Sequence, residues 1–238
     1  MIAVTDEGEL ARNLALYLDD EVSIIDTPKR VIELKPRVVI HTLEAKDNKS
    51  TMWNNNVWFA INVARNANKL GALNVYISSY LIFDGKNGYY SESSTPSPIN
   101  YFGMTKLAGE TGIASLGNYL IVRAGAIYSM TYDGIIRPFI RSLLKRHKAN
   151  CNDDFFLSPI SVKEFSEIIS KLIKLDARGI VNVGGKRISF TDLCYKLSEI
   201  LGGSVVPVKG KYYDFSIDTW LLENLGISIR DRQEPLLF

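Results

Sequence analysis

The first segment whose residue types could do chemistry is TDEGELARNL, residues 5–14, between an apolar run and a stretch of helical periodicity. A strand-turn-helix of this kind holds a pyrophosphate when glycines let the chain turn tightly and bring the anion to the helix N-terminus. Gly8, Leu10 and Ala11 are the positions that would face such a cofactor. The turn carries one glycine, and the place of the first in the usual pattern is deleted or occupied by Asp6. Asp6 and Glu7 would repel an incoming pyrophosphate, whereas the same charges would complement the dipole of an ordinary helix. On the residues alone both readings stay open. The two cysteines, Cys151 and Cys194, cannot form a disulfide framework, and the two histidines, His41 and His147, leave no metal cluster.

Alternating elements must position that turn. Apolar, β-branched runs predict strands at residues 1–5, 21–25, 37–41, 74–78, 119–123 and 179–183. Apolar spacing near 3.6 predicts helices at 9–18, 29–34, 56–70, 105–115, 135–145, 162–175 and 190–201. Such alternation implies an α/β fold with a doubly wound parallel sheet, because each parallel pair needs a crossover. Continuously apolar strands such as NVYIS and YLIVR fit a sheet covered on both faces. About a dozen residues separate the second and third predicted strands, far short of the ~30 that a further βαβ unit takes, so the usual third strand is expected to be missing. We expect a Rossmann-like core over residues 1–130. Residues 131–238 should add a last core strand and a small helical lobe, the whole forming one compact unit. The polar SESSTPSPIN, residues 91–100, reads as a loop.

Composition narrows the function classes. The 238 residues are 46% hydrophobic and 23% charged, which excludes disorder, and the net charge of +2 leaves no broad basic surface for nucleic acid. No apolar run reaches the ~18 residues that a membrane span needs. The start, MIAVTDEGEL, lacks the pattern of a secretory signal, and a cytoplasmic location is expected.

The middle of the chain is more specific. YISSYLIFDG (residues 76–85) followed by NYFGMTKLAGE (residues 100–110) resembles the extended short-chain dehydrogenase/reductase superfamily. Within it, the likeness is to the dTDP-4-dehydrorhamnose reductases and to their non-catalytic relative, the regulatory β subunit of methionine adenosyltransferase. NVWFAINVARNANKLGA, LIVRAGAIY and DDFFLSPISVKEFSEII support it in the same order along the chain. The resemblance implies reduction of a sugar ketone with a nicotinamide cofactor. A Ser or Thr would hold the carbonyl, a Tyr would deliver the proton, and a Lys four residues later would grip the ribose and lower the Tyr pKa from its ordinary value of about 10.

Carried over position by position, Ser79 matches the Ser/Thr and Lys106 the Lys, but the tyrosine position holds Phe102, which has no proton to give. Tyr101 is the possible substitute, although a helical neighbour is turned by roughly 100°. Further departures gather at the same implied site. Tyr80 and Leu81 replace an Asp-Tyr pair, and Thr42 and Leu43 replace two small residues along the cofactor floor. Glu44 adds a negative charge, and Lys211-Tyr212 stands for an Arg-Pro pair. Asp26 remains as the acidic residue that would bind an adenosine ribose.

Two expectations follow from the resemblance. The first is a binding or regulatory protein without reductase activity, holding NADP(H) or NAD(H) weakly or not at all, with a partner enzyme, a homodimer or a nucleotide sugar as its ligand. The second is an active NADP(H)-dependent nucleotide-sugar reductase. Smaller features have plainer readings. Lys145, Arg146, His147 and Lys148 close a predicted helix as cations should, with a nucleotide or acidic partner as the alternative. His41 is expected to be structural. Trp58 and Phe59 belong either to a dimer face or to the core, and the apolar tail EPLLF, residues 234–238, could dock on the body or on a partner.

Overall fold

The computed structural model describes residues 1–229, so the EPLLF tail lies outside the described residues. The chain divides into two compact units. The first comprises Met1–Phe83, Thr95–Arg123 and Ser166–Val181. Its elements are β1 (Ile2–Val4), α1 (Glu9–Tyr17), β2 (Val22–Ile24), α2 (Arg30–Leu34), β3 (Val38–His41), α3 (Lys49–Trp53), α4 (Ala60–Lys69), β4 (Leu73–Ser79) and α5 (Tyr101–Ala114), followed by β5 (Tyr119–Ala124).

The sheet runs β10-β5-β4-β3-β1-β2, where β10 is Gly179–Val183. The pairs β1–β2, β1–β3 and β3–β4 are parallel, with Ile2 opposite both Val22 and Val38, and Val38 opposite Leu73. β2 forms one edge, and the chain returns from it through the five-residue α2 directly to β3 beside β1. The third strand of a full dinucleotide fold is therefore absent among the described residues, as the short spacing predicts. β1, β3 and β4 are buried along their whole length because helices cover both faces. On one face Val63 and Ala67 of α4 pack on Ala3, Ile25, Val31 and Val39, and Phe59 joins this cluster. Phe59 is thus core, while Trp58 beside it is 54% exposed.

Two helices begin earlier than their apolar period suggests, each because an asparagine caps it. Asn48 Oδ1 accepts from Thr51 N at 2.9 Å and starts α3; Asn100 Oδ1 accepts from Gly103 N at 2.7 Å and starts α5. Tyr101 and Phe102 consequently lie within α5, not ahead of it. Between α3 and α4 the chain makes a π-helical segment, Asn54–Phe59.

The second unit comprises Asp84–Ser94, Ala124–Phe165 and Asn182–Phe238. It holds β6 (Ala126–Tyr128), α6 (Arg137–Arg146), β7 (Lys148–Asn152), β8 (Phe155–Leu157) and β9 (Pro159–Ser161). α7 (Val162–Lys174) leads out of it, and β11 (Ile188–Ser189), α8 (Phe190–Leu201), β12 (Ser204–Val208), β13 (Tyr213–Asp214) and α9 (Trp220–Asn224) complete it. Besides the expected helices it has small sheets, β6–β9, β11–β8–β13 and β12–β7, built of strands of two to five residues that no apolar run in the sequence reading marked. Phe139, Phe155, Phe190, Tyr213 and Phe215 meet edge-to-face, tilted or stacked in its core. Among the described residues no helix is long and apolar enough to cross a membrane.

Candidate functional site

The turn from β1 to α1 is closed by its own side chains. Gly8 is the N-cap of α1 in an extended conformation, with no side-chain cap. The Asp6 carboxylate lies against it, so that a β-carbon on Gly8 would fall 2.5 Å from Asp6 Oδ2. Asp6 Oδ1 is buried without a hydrogen-bond partner. Leu10 and Ala11 turn into the core. The ends of β1 and β3 are laced together: Thr42 Oγ1 accepts from Thr5 N at 3.3 Å, and Thr5 Oγ1 accepts from Leu43 N at 2.9 Å. Asp26, just past β2, is exposed.

Lys106, in the middle of α5, has a side chain only 2% exposed. Its ammonium lies 3.6 Å from Glu44 Oε2, 4.8 Å from the centre of the Tyr76 ring and 6.0 Å from that of Phe102. Glu44 Oε1 is held from the other side by Lys46 Nζ at 2.6 Å. Burial pushes the Lys106 ammonium below its ordinary pKa, against the pull of Glu44. Burial would also raise the Glu44 carboxyl, but Lys106 and Lys46 outweigh it and keep Glu44 below the usual carboxylate value. The cation that the resemblance assigns to a ribose is thus satisfied within the chain. Replacing Glu44 by Gln should leave a buried, unpaired ammonium and cost about 2 kcal/mol in urea unfolding, a modest value because Glu44 is partly exposed.

A tyrosine does stand beside Lys106, but it is Tyr76 of β4. Its hydroxyl donates to Asn56 O at 2.9 Å, and burial, with Glu110 and Glu44 nearby, holds its pKa well above the ordinary value. Its hydroxyl hydrogen is directed at that backbone carbonyl. Asn56 is itself fully buried: its Oδ1 accepts from Ala45 N, and its Nδ2 donates to Ala45 O and to Thr105 Oγ1. Gly109 of α5 allows this packing, since a β-carbon there would lie 2.2 Å from the Tyr76 hydroxyl. Nothing in the apolar pattern singles out this network; its one signal is an asparagine inside a predicted buried helix.

The remaining carried-over positions are placed as follows. Ser79 Oγ accepts from Leu81 N at 3.2 Å and caps the short 3-10 turn Tyr80–Ile82. Ser78 Oγ is buried without a partner. Tyr101 is partly exposed, and its ring lies under Lys49 Nζ at 5.5 Å, a different lysine from the one in question. Behind Lys106, Glu110 and Arg123 form a buried ion pair that sequence reading missed, Arg123 Nη2 donating to Glu110 Oε2 at 3.1 Å.

At the positions that the resemblance assigns to a nicotinamide dinucleotide, the side chains are acidic or already paired. An anion brought to α1 would meet the Asp6 carboxylate, whose orphaned oxygen needs a donor, and a pyrophosphate supplies only acceptors. The lysine implied for the ribose is closed off by Glu44, and the implied proton donor is a phenyl ring.

Comparison with known proteins places this geometry in a lineage. The model of the RmlD substrate binding domain matches residues 22–187. Methionine adenosyltransferase 2 subunit beta of Rattus norvegicus is 26% identical over 169 residues, 64% of this chain and 50% of that protein. The dTDP-4-keto-6-deoxy-D-glucose reductase of Streptomyces niveus is 30% identical over 141 residues, 56% of this chain and 49% of that protein. The chain thus spans about half the length of these curated relatives. A crystal structure of a hypothetical dTDP-4-dehydrorhamnose reductase from Sulfolobus tokodaii superposes with a TM-score of 0.84 at 26% identity, covering 94% of this chain and 93% of that one. The Bacillus anthracis dTDP-4-dehydrorhamnose reductase, solved in complex with NADP, shares the fold with a TM-score of 0.86 at 23% identity, covering 95% of this chain and 92% of that one. With most of its length matched by that domain model and its sheet matched by those structures, the chain belongs to the RmlD substrate-binding-domain family of dTDP-4-dehydrorhamnose-reductase-like proteins.

Proposed function

We propose that this protein has kept the reductase scaffold without the reaction and works as a binding or regulatory protein. The observation that carries this reading is the Lys106 side chain, 2% exposed and paired with Glu44, with Phe102 one helical turn before it. General acid catalysis contributes about 10²–10⁴ in rate, so the loss of a proton donor alone would leave a poor enzyme. A closed cofactor turn removes the hydride source as well. A relative named as a subunit of methionine adenosyltransferase supports an enzyme as the partner, and the nucleotide-sugar reductases among its relatives support a sugar nucleotide as the alternative ligand.

Titration of the purified chain with NADPH and NADH tests the reading. Binding is expected to be weaker than about 1 mM, an affinity of about −4 kcal/mol. Turnover of a dTDP-4-keto sugar should stay at the buffer rate, and Phe102→Tyr alone should not raise it. Micromolar binding of NADPH, together with turnover abolished by Tyr101→Phe, would establish an active reductase instead.

A further inference from the structure

The second unit carries a groove that the site above does not use. It has a volume of about 570 Å³ and lies between α6, β7 and the start of α8. That volume is within the range of small-molecule sites, about 300–1,000 Å³. Phe139 and Phe190 line it, their rings edge-to-face at 6.0 Å, Phe139 nearly buried and Phe190 partly exposed. Ser142 and Asn150 add polar atoms, and Arg146 and Lys148 supply two positive charges.

At the end of α6 the Leu143 carbonyl accepts from His147 N, and just beyond the helix Ser204 N bonds His147 O and the Ser142 hydroxyl donates to Lys148 O at 2.8 Å. Neither Arg146 nor Lys148 has a carboxylate partner among the described residues. His147 between them adopts the left-handed conformation, φ 50°, that ends the helix and begins β7. Two uncompensated cations in a concave, aromatic-lined site complement an anion attached to an apolar ring.

We propose that this groove binds a small aromatic anion, its flat ring against Phe190 and its phosphate or carboxylate on Arg146 and Lys148. The site lies wholly within the second unit and stands apart from the question of reductase activity, so either reading can fail without the other.

Calorimetric titration of the full chain with phenyl phosphate, benzoate, inorganic phosphate and phenol tests it. Phenyl phosphate or benzoate should bind one-to-one and about tenfold more tightly than inorganic phosphate or phenol, because only they supply both ring and charge. Whichever of the two binds more tightly identifies the head group. Arg146→Gln and Lys148→Gln should each weaken binding about tenfold, the loss expected for one charge-assisted hydrogen bond. Both side chains are exposed, so the melting temperature should not move. The proposal is overturned if neither aromatic anion outbinds inorganic phosphate, or if both variants bind as the parent does.

Discussion

Glu110→Ala should be among the most destabilising single substitutions in the first unit, costing about 3–5 kcal/mol. Glu110 and Arg123 are 3% and 4% exposed, and the Arg123 guanidinium also lies 5.5 Å from the centre of the Phe83 ring. Removing the carboxylate deprives a buried guanidinium, which cannot shed its proton, of its Glu110 counter-ion. The measurement is the urea midpoint, read with an unchanged slope so that the loss is one of stability. The double variant Glu110→Leu/Arg123→Met should recover most of the loss, because an apolar pair of similar volume leaves no charge behind. A single variant as stable as the parent would mean that the two side chains are not buried against each other.

His41 supplies the second large effect, and it is one of pH. Its Nε2 lies 3.1 Å from Asn74 Oδ1, which makes Nε2 the protonated nitrogen and leaves Nδ1 buried without a partner. Burial, with the Lys106 charge nearby, lowers its pKa from 6.5 to about 4. In the unfolded chain the imidazole takes up its proton near pH 6.5, whereas the folded protein refuses it until about pH 4. Between these values the unfolded state holds the extra proton, so stability falls as the pH falls. The full loss approaches about 3 kcal/mol and is complete only below pH 4. Unfolding free energies for the parent and for His41→Asn, taken from pH 7.5 to 4.5, isolate this contribution from that of the carboxylates. Parallel curves for the two proteins would remove His41 as the cause.

Much of the architecture could be read from the chain because apolar, β-branched runs mark the strands of the main sheet and whole apolar turns mark its helices. The six strands of the main sheet and α1, α7 and α8 lie within a residue or two of their expected positions. Reading failed where polar side chains start a helix. Asn48 and Asn100 begin α3 and α5 ahead of the first apolar repeat, a local hydrogen bond that no hydrophobic count detects. The candidate site was legible as a set of residue types. Phe102 for a tyrosine and Asp6 in the turn were visible in the chain, and Glu44 was noted as an added negative charge. The pairing of Glu44 with Lys106 was not, since residues 62 positions apart in sequence meet only when α5 lies beside the segment that follows β3. The Tyr76–Asn56 bond escaped for the same reason.

The wide turn at Asn54–Phe59 has an evolutionary consequence. A π-helical turn holds one residue more than an α-helical one, and here it surrounds the carbonyl that receives the Tyr76 hydroxyl. Deleting one residue of that segment would close the wide turn into an ordinary α-helical one, and the Asn56 carbonyl would no longer stand where the Tyr76 hydroxyl reaches it. The interior would lose that anchor. Length in this stretch should accordingly be harder to change than identity, and descendants of this lineage should vary Trp58 freely while keeping the spacing from Asn48 to Ala60.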